Sequence, residues 1–387
     1  MTKPRITIKN PNQTRPTTYV EVGQMDYTLY FVVMILVCIG VIMVFSASYV
    51  TASHRMIFQQ DAFYFLRRNG LMAIGGFIVM NLVANIYYGH YRPWARTLYI
   101  VSIILLLMVF FFGITSGGAT RWIPIPGTNF NFQPSEIAKA ATIFMMAWMV
   151  SQYEKGLHNW RGFIIFCGVA GLISGLVLYS GFSSGLIVTV IAFGMIFIAS
   201  PHIWRFFLAG LTGVAGFAGI IFFGEGFRMS RVIAWLDPFA DAGHTGYQTV
   251  QSLFAIASGG LFGQGIGNSR QASFVPEAHN DIIFAIIAEE LGLIGAGLIM
   301  LLFGIFIWRG IKIAMNAPDT FSSMVAVGIV FAIAFQAIIN IAVVTNSIPN
   351  TGVTLPFISY GGTSLIVSMG LAGVLLNISR YSKERTG

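Results

Sequence analysis

Charge is scarce in this chain. Asp, Glu, Lys and Arg together make up 9% of its 387 residues, against roughly 25% in a soluble globular domain. Cysteine is nearly absent: Cys38 and Cys167 both lie in apolar runs and read as small hydrophobes, which leaves no disulfide framework and no cysteine metal centre. A massed basic patch is missing too. The 22 Lys and Arg outnumber 14 Asp and Glu but are scattered among loops, which argues for membrane topology and against a nucleic-acid partner. There is no repeat at fixed period and no pair of broken helices in corresponding halves, so a secondary transporter finds little support. Ser46-Ala47-Ser48 resembles a leader cleavage site, but the apolar run before it is too long for a signal peptide. The first span reads as a retained anchor.

What is present is apolar length. Hydrophobic residues are 56% of the chain, with a mean hydropathy of +0.76. Runs of about 20 apolar residues, enough to cross ~30 Å of hydrocarbon, occur at 27–49, 70–89, 97–113, 135–152, 162–180, 183–200, 204–223, 282–307, 321–345 and 356–378. The expected fold is all-α: a polytopic membrane protein of about ten transmembrane helices. Residues 1–26 form a polar tail, expected to be mobile, 27–378 a single transmembrane domain, and 379–387 a second tail. With the N-terminus inside, inner segments hold 14 Lys and Arg and outer segments 7. Both tails are therefore expected in the cytoplasm, and the long loop between helices 7 and 8, residues 224–280, outside. The turn near Gly181 is the least marked boundary.

Four stretches on the expected outer face stand out. In FVPEAHNDIIFAIIAEELG, residues 274–292, the polar start holds Glu277, His279 and Asp281, and the apolar helix that follows holds Glu289 and Glu290. Asp281 either favours a helix N-terminus or is a reactive group at a membrane surface, and the second reading is preferred here. Glu289 and Glu290 are expected to pair within the bundle. In GGATRWIPIPGTNFNFQPSEIAKAA, residues 117–141, Gln133-Pro134-Ser135-Glu136 is a helix start. Glu136 and Lys139 share a helix face three residues apart, as a capping pair or a functional one. Arg121 and Trp122 offer a cation and an amphipathic ring at headgroup depth, where Trp122 alone would be an aromatic anchor. The 224–271 loop is too long for a connector and is expected to contain short interfacial helices. In it Arg228 and Arg231 could face a phosphate, and Gly259, Gly260, Gly263, Gly265 and Gly267 permit close backbone approach. TNSIPNTGVTLPFISYGGTS, residues 345–364, adds turns and hydroxyls.

The segments GGATRWI, FQPSEIAKAA, GYQTVQSLFAIASGGLFGQGIGNS, FVPEAHNDIIFAIIAEELG and PNTGVTLPFISYGGTS together resemble the SEDS family (shape, elongation, division and sporulation). PEAHND and TNSIPNTGVTLPF are similar to its division and sporulation branch. The resemblance implies a peptidoglycan glycosyltransferase that polymerises lipid II at the outer face of the cytoplasmic membrane. It matches the family's essential aspartate to Asp281, its arginine-tryptophan pair to Arg121 and Trp122, and its helix-start glutamate and lysine to Glu136 and Lys139. It also implies a class B penicillin-binding protein, a transpeptidase, as partner within a division or spore-cortex complex. One departure stands out. Family members often carry a QPDLGT-like motif after the fifth span, whereas Tyr179-Ser180-Gly181-Phe182-Ser183-Ser184-Gly185 occupies that place here.

For such a reaction, partial burial of Asp281 would lift its pKa from about 3.9 toward that of a useful base. Arg121, Lys139 and Arg231 are candidate cations for the pyrophosphate. On residue chemistry alone Glu277 and His279 are alternative bases, and the resemblance decides for Asp281. A divalent cation, Mg2+ or Mn2+, bridging pyrophosphate and carboxylates is compatible, though no ligand spacing demonstrates one. The rival classes are a lipid II flippase, which would want charge along a path through the membrane, and a scaffold for division proteins.

Overall fold

The computed structural model describes residues 5–8, 18–54, 56, 60–116, 119–124, 131–202, 204–205, 233–244, 246–275 and 277–382. Apolar runs become helices because in lipid every backbone amide must be satisfied within its own segment. In chain order they are α1 (Tyr27–His54), α2 (Tyr64–Asn85), α3 (Tyr91–Phe112), α4 (Pro134–Gln152), α5 (Trp160–Ser180), α6 (Phe182–Ala199), α7 (Tyr247–Gly259), α8 (Ile283–Met315), α9 (Thr320–Val344) and α10 (Gly362–Ser379). Among the described residues seven helices are long and apolar enough to cross a membrane; α2, α4 and α7 fall outside that set. The predicted span at 204–223 lies almost wholly outside the described residues.

Interior and rim positions follow from packing. About two-thirds of the most apolar window of α10 is buried, against 28% for the segment containing α3. Next to α10, the helices α4 and α9 supply Met146, Ala147, Ile329 and Ile333, all essentially inaccessible.

The first and last helices meet at one end of the bundle. Gly23 N–H donates to the Arg380 carbonyl at 2.7 Å, and Asp26 N–H to Ser379 Oγ at 3.0 Å. Asp26 also caps α1 by accepting from Leu29 N–H at 3.0 Å, and its other oxygen takes Arg309 Nε at 2.8 Å. Both ends of the transmembrane domain thus lie at one end of the bundle. Arg205, bonded to the Leu157 and His158 carbonyls, is at this tail end. Trp235, whose Nε1 donates to the Asn346 carbonyl at 3.1 Å, is at the opposite, loop end.

Three features differ from expectation. The N-terminal tail, expected to be mobile, carries β1 (Arg5–Ile8) and β2 (Thr18–Glu21), paired antiparallel with Arg5 opposite Glu21. A second small sheet, β3 (Ile114–Ser116), β4 (Ala119–Pro124) and β5 (Asn131–Phe132), caps the loop end between α3 and α4, so the all-α bundle carries short strands at both ends. The third difference is in α8, whose path breaks at Gly292 (φ 69°, ψ −170°). Residues 293–315 alone run about 34 Å at 1.5 Å per residue, enough to span. The stretch 283–291 is a separate piece of buried helix, about two and a half turns long, so the predicted single span from 282 is really two pieces.

Candidate active site

The described parts of each sequence motif lie at the loop end, and each is bonded to another. At the start of α4, Pro134 takes the first helical position and Glu136 the first turn, as the sequence predicts. Gln133 N–H, one residue earlier, donates to Thr363 Oγ1 at the start of α10. Glu136 and Lys139 form an ion pair at 2.8 Å, with side chains 10% and 4% exposed. Lys139 therefore reaches the site already neutralised. Its ammonium also donates to Gln336 Oε1 at 3.0 Å.

The 345–361 loop lies across the middle of this end. Ser183 Oγ, just past the one-residue joint between α5 and α6, donates to the Thr351 carbonyl. Asn350 Nδ2 donates to Gln248 Oε1 of α7 at 2.9 Å. Ser359 Oγ donates to the Asn280 carbonyl at 2.6 Å, and Tyr360 N–H to the His279 carbonyl at 2.9 Å. Asp281 is held among these contacts. Its backbone carbonyl accepts from Asn340 Nδ2 at 2.7 Å, and its carboxylate oxygen Oδ2 lies 3.6 Å from where a Cβ on Gly352 would stand. Asp281 is half-buried.

The neighbouring candidates separate by environment. Glu277 is exposed, adopts a left-handed backbone (φ 52°) and accepts a hydrogen bond from Asn280 Nδ2. A non-glycine residue there is uncommon and marks a constrained turn. His279 is 6% exposed, its ring 4.2 Å from Phe65 of α2 and 5.4 Å from Tyr360. That aromatic setting makes it part of the wall behind Asp281. Burial pushes the Tyr360 hydroxyl above the ordinary tyrosine value, with the Arg68 charge pulling weakly the other way.

Arg121 and Trp122 lie on β4, Trp122 opposite Ile114 of β3, with the Arg121 guanidinium 5.9 Å from the Trp122 ring. The Arg121 stem packs on the α5–α6 joint, its Cδ 3.5 Å from a Cβ built at Gly181. The stretch that departs from the family motif is therefore a neighbour of Arg121. Arg121 Nε is buried and bonds nothing among the described residues. Arg228 and Arg231 lie outside the described residues.

Glu289 and Glu290 are fully buried and take hydroxyls and amides as partners. Glu290 accepts from Ser46 Oγ of α1 at 2.6 Å, and Glu289 from Ser269 Oγ and from Arg270 N–H at 3.0 Å. The glycine-rich turn after α7 also spans the break in α8. Gln264 and Gly265 N–H groups donate to the Glu289 and Glu290 carbonyls at 2.9 and 3.0 Å. In return Leu293 and Ile294 N–H groups donate to the Gly260 and Leu261 carbonyls at 2.9 and 3.2 Å. Two of the orphan groups on each side of the break are thereby satisfied.

Sequence reasoning passed over Gln336 and Asn340. The available signal was two amides at i and i+4 in the otherwise apolar FAIAFQAIINIAVV, a spacing that puts both on one helix face. Among the described residues no group of three His, Cys, Asp or Glu side chains could hold a metal ion.

The whole of this architecture has relatives. A family model for cell cycle proteins of the FtsW, RodA and SpoVE type matches residues 27–384. Stage V sporulation protein E of Bacillus subtilis is 42% identical over 92% of this chain and 98% of its own length. A protein named probable peptidoglycan glycosyltransferase FtsW, from Geobacter sp. strain M18, is 39% identical over 92% and 96%. Among solved structures, a chain of a peptidoglycan synthase complex superposes with a TM-score of 0.76 at 25% identity, over 92% of this chain and 98% of that one. The rod shape determining protein RodA of Thermus thermophilus shares the fold, with a TM-score of 0.67 at 24% identity, over 93% and 98%. With the loop-end motifs in place and the match running the length of the bundle, the chain belongs to the FtsW/RodA/SpoVE family of multi-pass membrane proteins.

Proposed function

We propose that this protein is a peptidoglycan glycosyltransferase that polymerises lipid II, with Asp281 as general base. The names of the relatives support the activity. The observation that carries the site is the seating of Asp281 where four sequence motifs converge, its main chain held by a buried amide and its carboxylate against Gly352. In the reaction the 4-hydroxyl oxygen of the acceptor sugar attacks the anomeric carbon of the donor. The bond from that carbon to the polyprenyl pyrophosphate breaks, and the hydroxyl proton passes to the Asp281 carboxylate. The pyrophosphate leaves with the bond's electron pair.

Charge on the leaving group needs a cation, and stabilising it is usually the largest catalytic term. Arg121 meets that need best among the described residues, since Lys139 is already matched by Glu136. Arg231 keeps the role the sequence suggests for it. If Mg2+ or Mn2+ takes part, its oxygens would come chiefly from the pyrophosphate with one carboxylate, because the described side chains gather no three-ligand set. The Lys and Arg distribution supports tails in the cytoplasm and the loop end outside, where both lipid tails stay in the bilayer. A class B penicillin-binding protein is the proposed partner, in keeping with the peptidoglycan synthase complex, one chain of which this one resembles.

The test is polymerisation of purified lipid II by the purified chain, with and without a cognate transpeptidase, read as glycan length on a gel. Glycan strands from the wild type and none from Asp281→Asn are expected. Lipid II crossing protein-containing vesicles without polymer would identify a flippase instead. Intact wall synthesis in cells carrying Asp281→Asn would identify a scaffold.

A further inference from the structure

Two amides stand one turn apart inside α9. Gln336 and Asn340 are 2% and 1% exposed, in a helix whose other residues near them are apolar. A buried amide is costly unless bonded, and the bonds here are specific. Asn340 Nδ2 donates at 2.7 Å both to the Asp281 carbonyl and to the Val353 carbonyl. Gln336 Nε2 donates to the Thr354 carbonyl at 3.0 Å while its Oε1 accepts from Lys139. One helix face therefore fixes two consecutive carbonyls of the loop and the carbonyl of Asp281. Asn340 does so at a cost, since its Oδ1 is buried with no donor among the described residues. An apolar side chain would avoid that orphan acceptor. The double donation is what an asparagine adds at this position.

We propose that Asn340 is a positioning residue for Asp281, and that Gln336 couples the Glu136–Lys139 pair to the loop facing it. The amide group of Asn340 joins Asp281 to Val353, next to Gly352, and so sets how far the carboxylate stands from the loop backbone opposite. Gln336 fixes the same loop one residue further on, without touching Asp281. The inference rests on the glycosyltransferase reading given above.

The experiment measures initial rates of lipid II polymerisation by the full chain with its transpeptidase, from pH 5.5 to 9, alongside thermal midpoints in detergent. Asn340→Asp keeps the shape but turns acceptors toward two carbonyls, and Asn340→Leu removes the donors. For either variant kcat is expected to fall about 10²-fold, the loss typical of a misplaced reacting group. KM should stay within about threefold, and the acid limb of the kcat profile should move. Gln336→Met, similar in volume, is expected to lower kcat about tenfold with the acid limb in place. A loss that tracks only the folded fraction, with a profile superimposable on wild type, overturns the proposal, as does unchanged kcat in Gln336→Met. Polymerisation by Asp281→Asn would fail the underlying reading instead. An inactive Asp281→Asn beside fully active Asn340 variants would fail the positioning role alone.

Discussion

Lys139 ends on Gln336. Its ammonium lies 3.0 Å from the Gln336 carboxamide oxygen and 2.8 Å from Glu136 Oε2, so a cation from α4 is joined through α9 to the loop beside Asp281. Removing one member of a buried ion pair leaves the other uncompensated, at a cost of about 3–5 kcal/mol. Lys139→Met should lower stability by that order in thermal or denaturant unfolding. The double variant with Glu136→Gln should recover most of the loss, because no lone charge remains.

Asp281→Asn should separate chemistry from folding. The hydrogen bond from Asn340 is to the backbone carbonyl of Asp281 and survives the substitution. The thermal midpoint is expected to match wild type, while polymerisation falls by about 10²–10⁴, the worth of general-base assistance.

At Gly292 the backbone adopts φ 69°, ψ −170°, a region open essentially to glycine alone, and a Cβ there would meet the Leu261 carbonyl oxygen at 2.4 Å. Gly292→Ala should cost about 3 kcal/mol or more. Gly297→Ala, five residues on and with nothing within 4 Å of its Cβ, should be neutral or stabilising by up to about 1 kcal/mol. Thermal midpoints of the two proteins make the comparison.

Asp26 caps α1 and holds Arg309. Asp26→Asn keeps a capping oxygen and loses the charge, whereas Asp26→Ala loses both. The alanine variant should be the less stable of the two by about 1 kcal/mol, the usual worth of a cap, in denaturant titrations.

Burial raises the Tyr360 hydroxyl above its ordinary value of 10.0. The folded protein therefore keeps that proton to higher pH than the unfolded chain does. The associated stability is complete below the unfolded value and is lost as pH climbs through the folded one. Tyr360→Phe should flatten the fall in thermal midpoint as pH rises above about 10.

Much of this was legible in the sequence because it is written in long, strong signals. Nine of the ten predicted spans overlap a described helix, and α7 answers the expectation of short helices in the 224–271 loop. Pro134 and Glu136 mark the start of α4 as helix chemistry predicts. The break in α8 was hidden because an isolated glycine in a helical pattern is compatible with an unbroken helix; only the partner turn at 259–265 shows that the path divides there. The strands β3, β4 and β5 were missed because they are two to six residues long and set among glycines and prolines that read as turns. Gln336 and Asn340 carry no charge, and two amides in an apolar run do not disturb the pattern that marks α9 as a span.

The exchange of hydrogen bonds across Gly292 has a consequence for how the protein is made. Residues 260–265 leave the ribosome some thirty positions ahead of 289–294, and neither group has its backbone partners until the other arrives. The long segment of α8 after Gly292 can be inserted on its hydrophobicity alone, but its loop-end tip stays unfinished until the preceding turn folds back on it. Assembly of the loop end is therefore a late and joint event, and a truncated chain, released from the ribosome and ending just short of Ile294, should show the 259–267 turn open to protease while a chain thirty residues longer protects it.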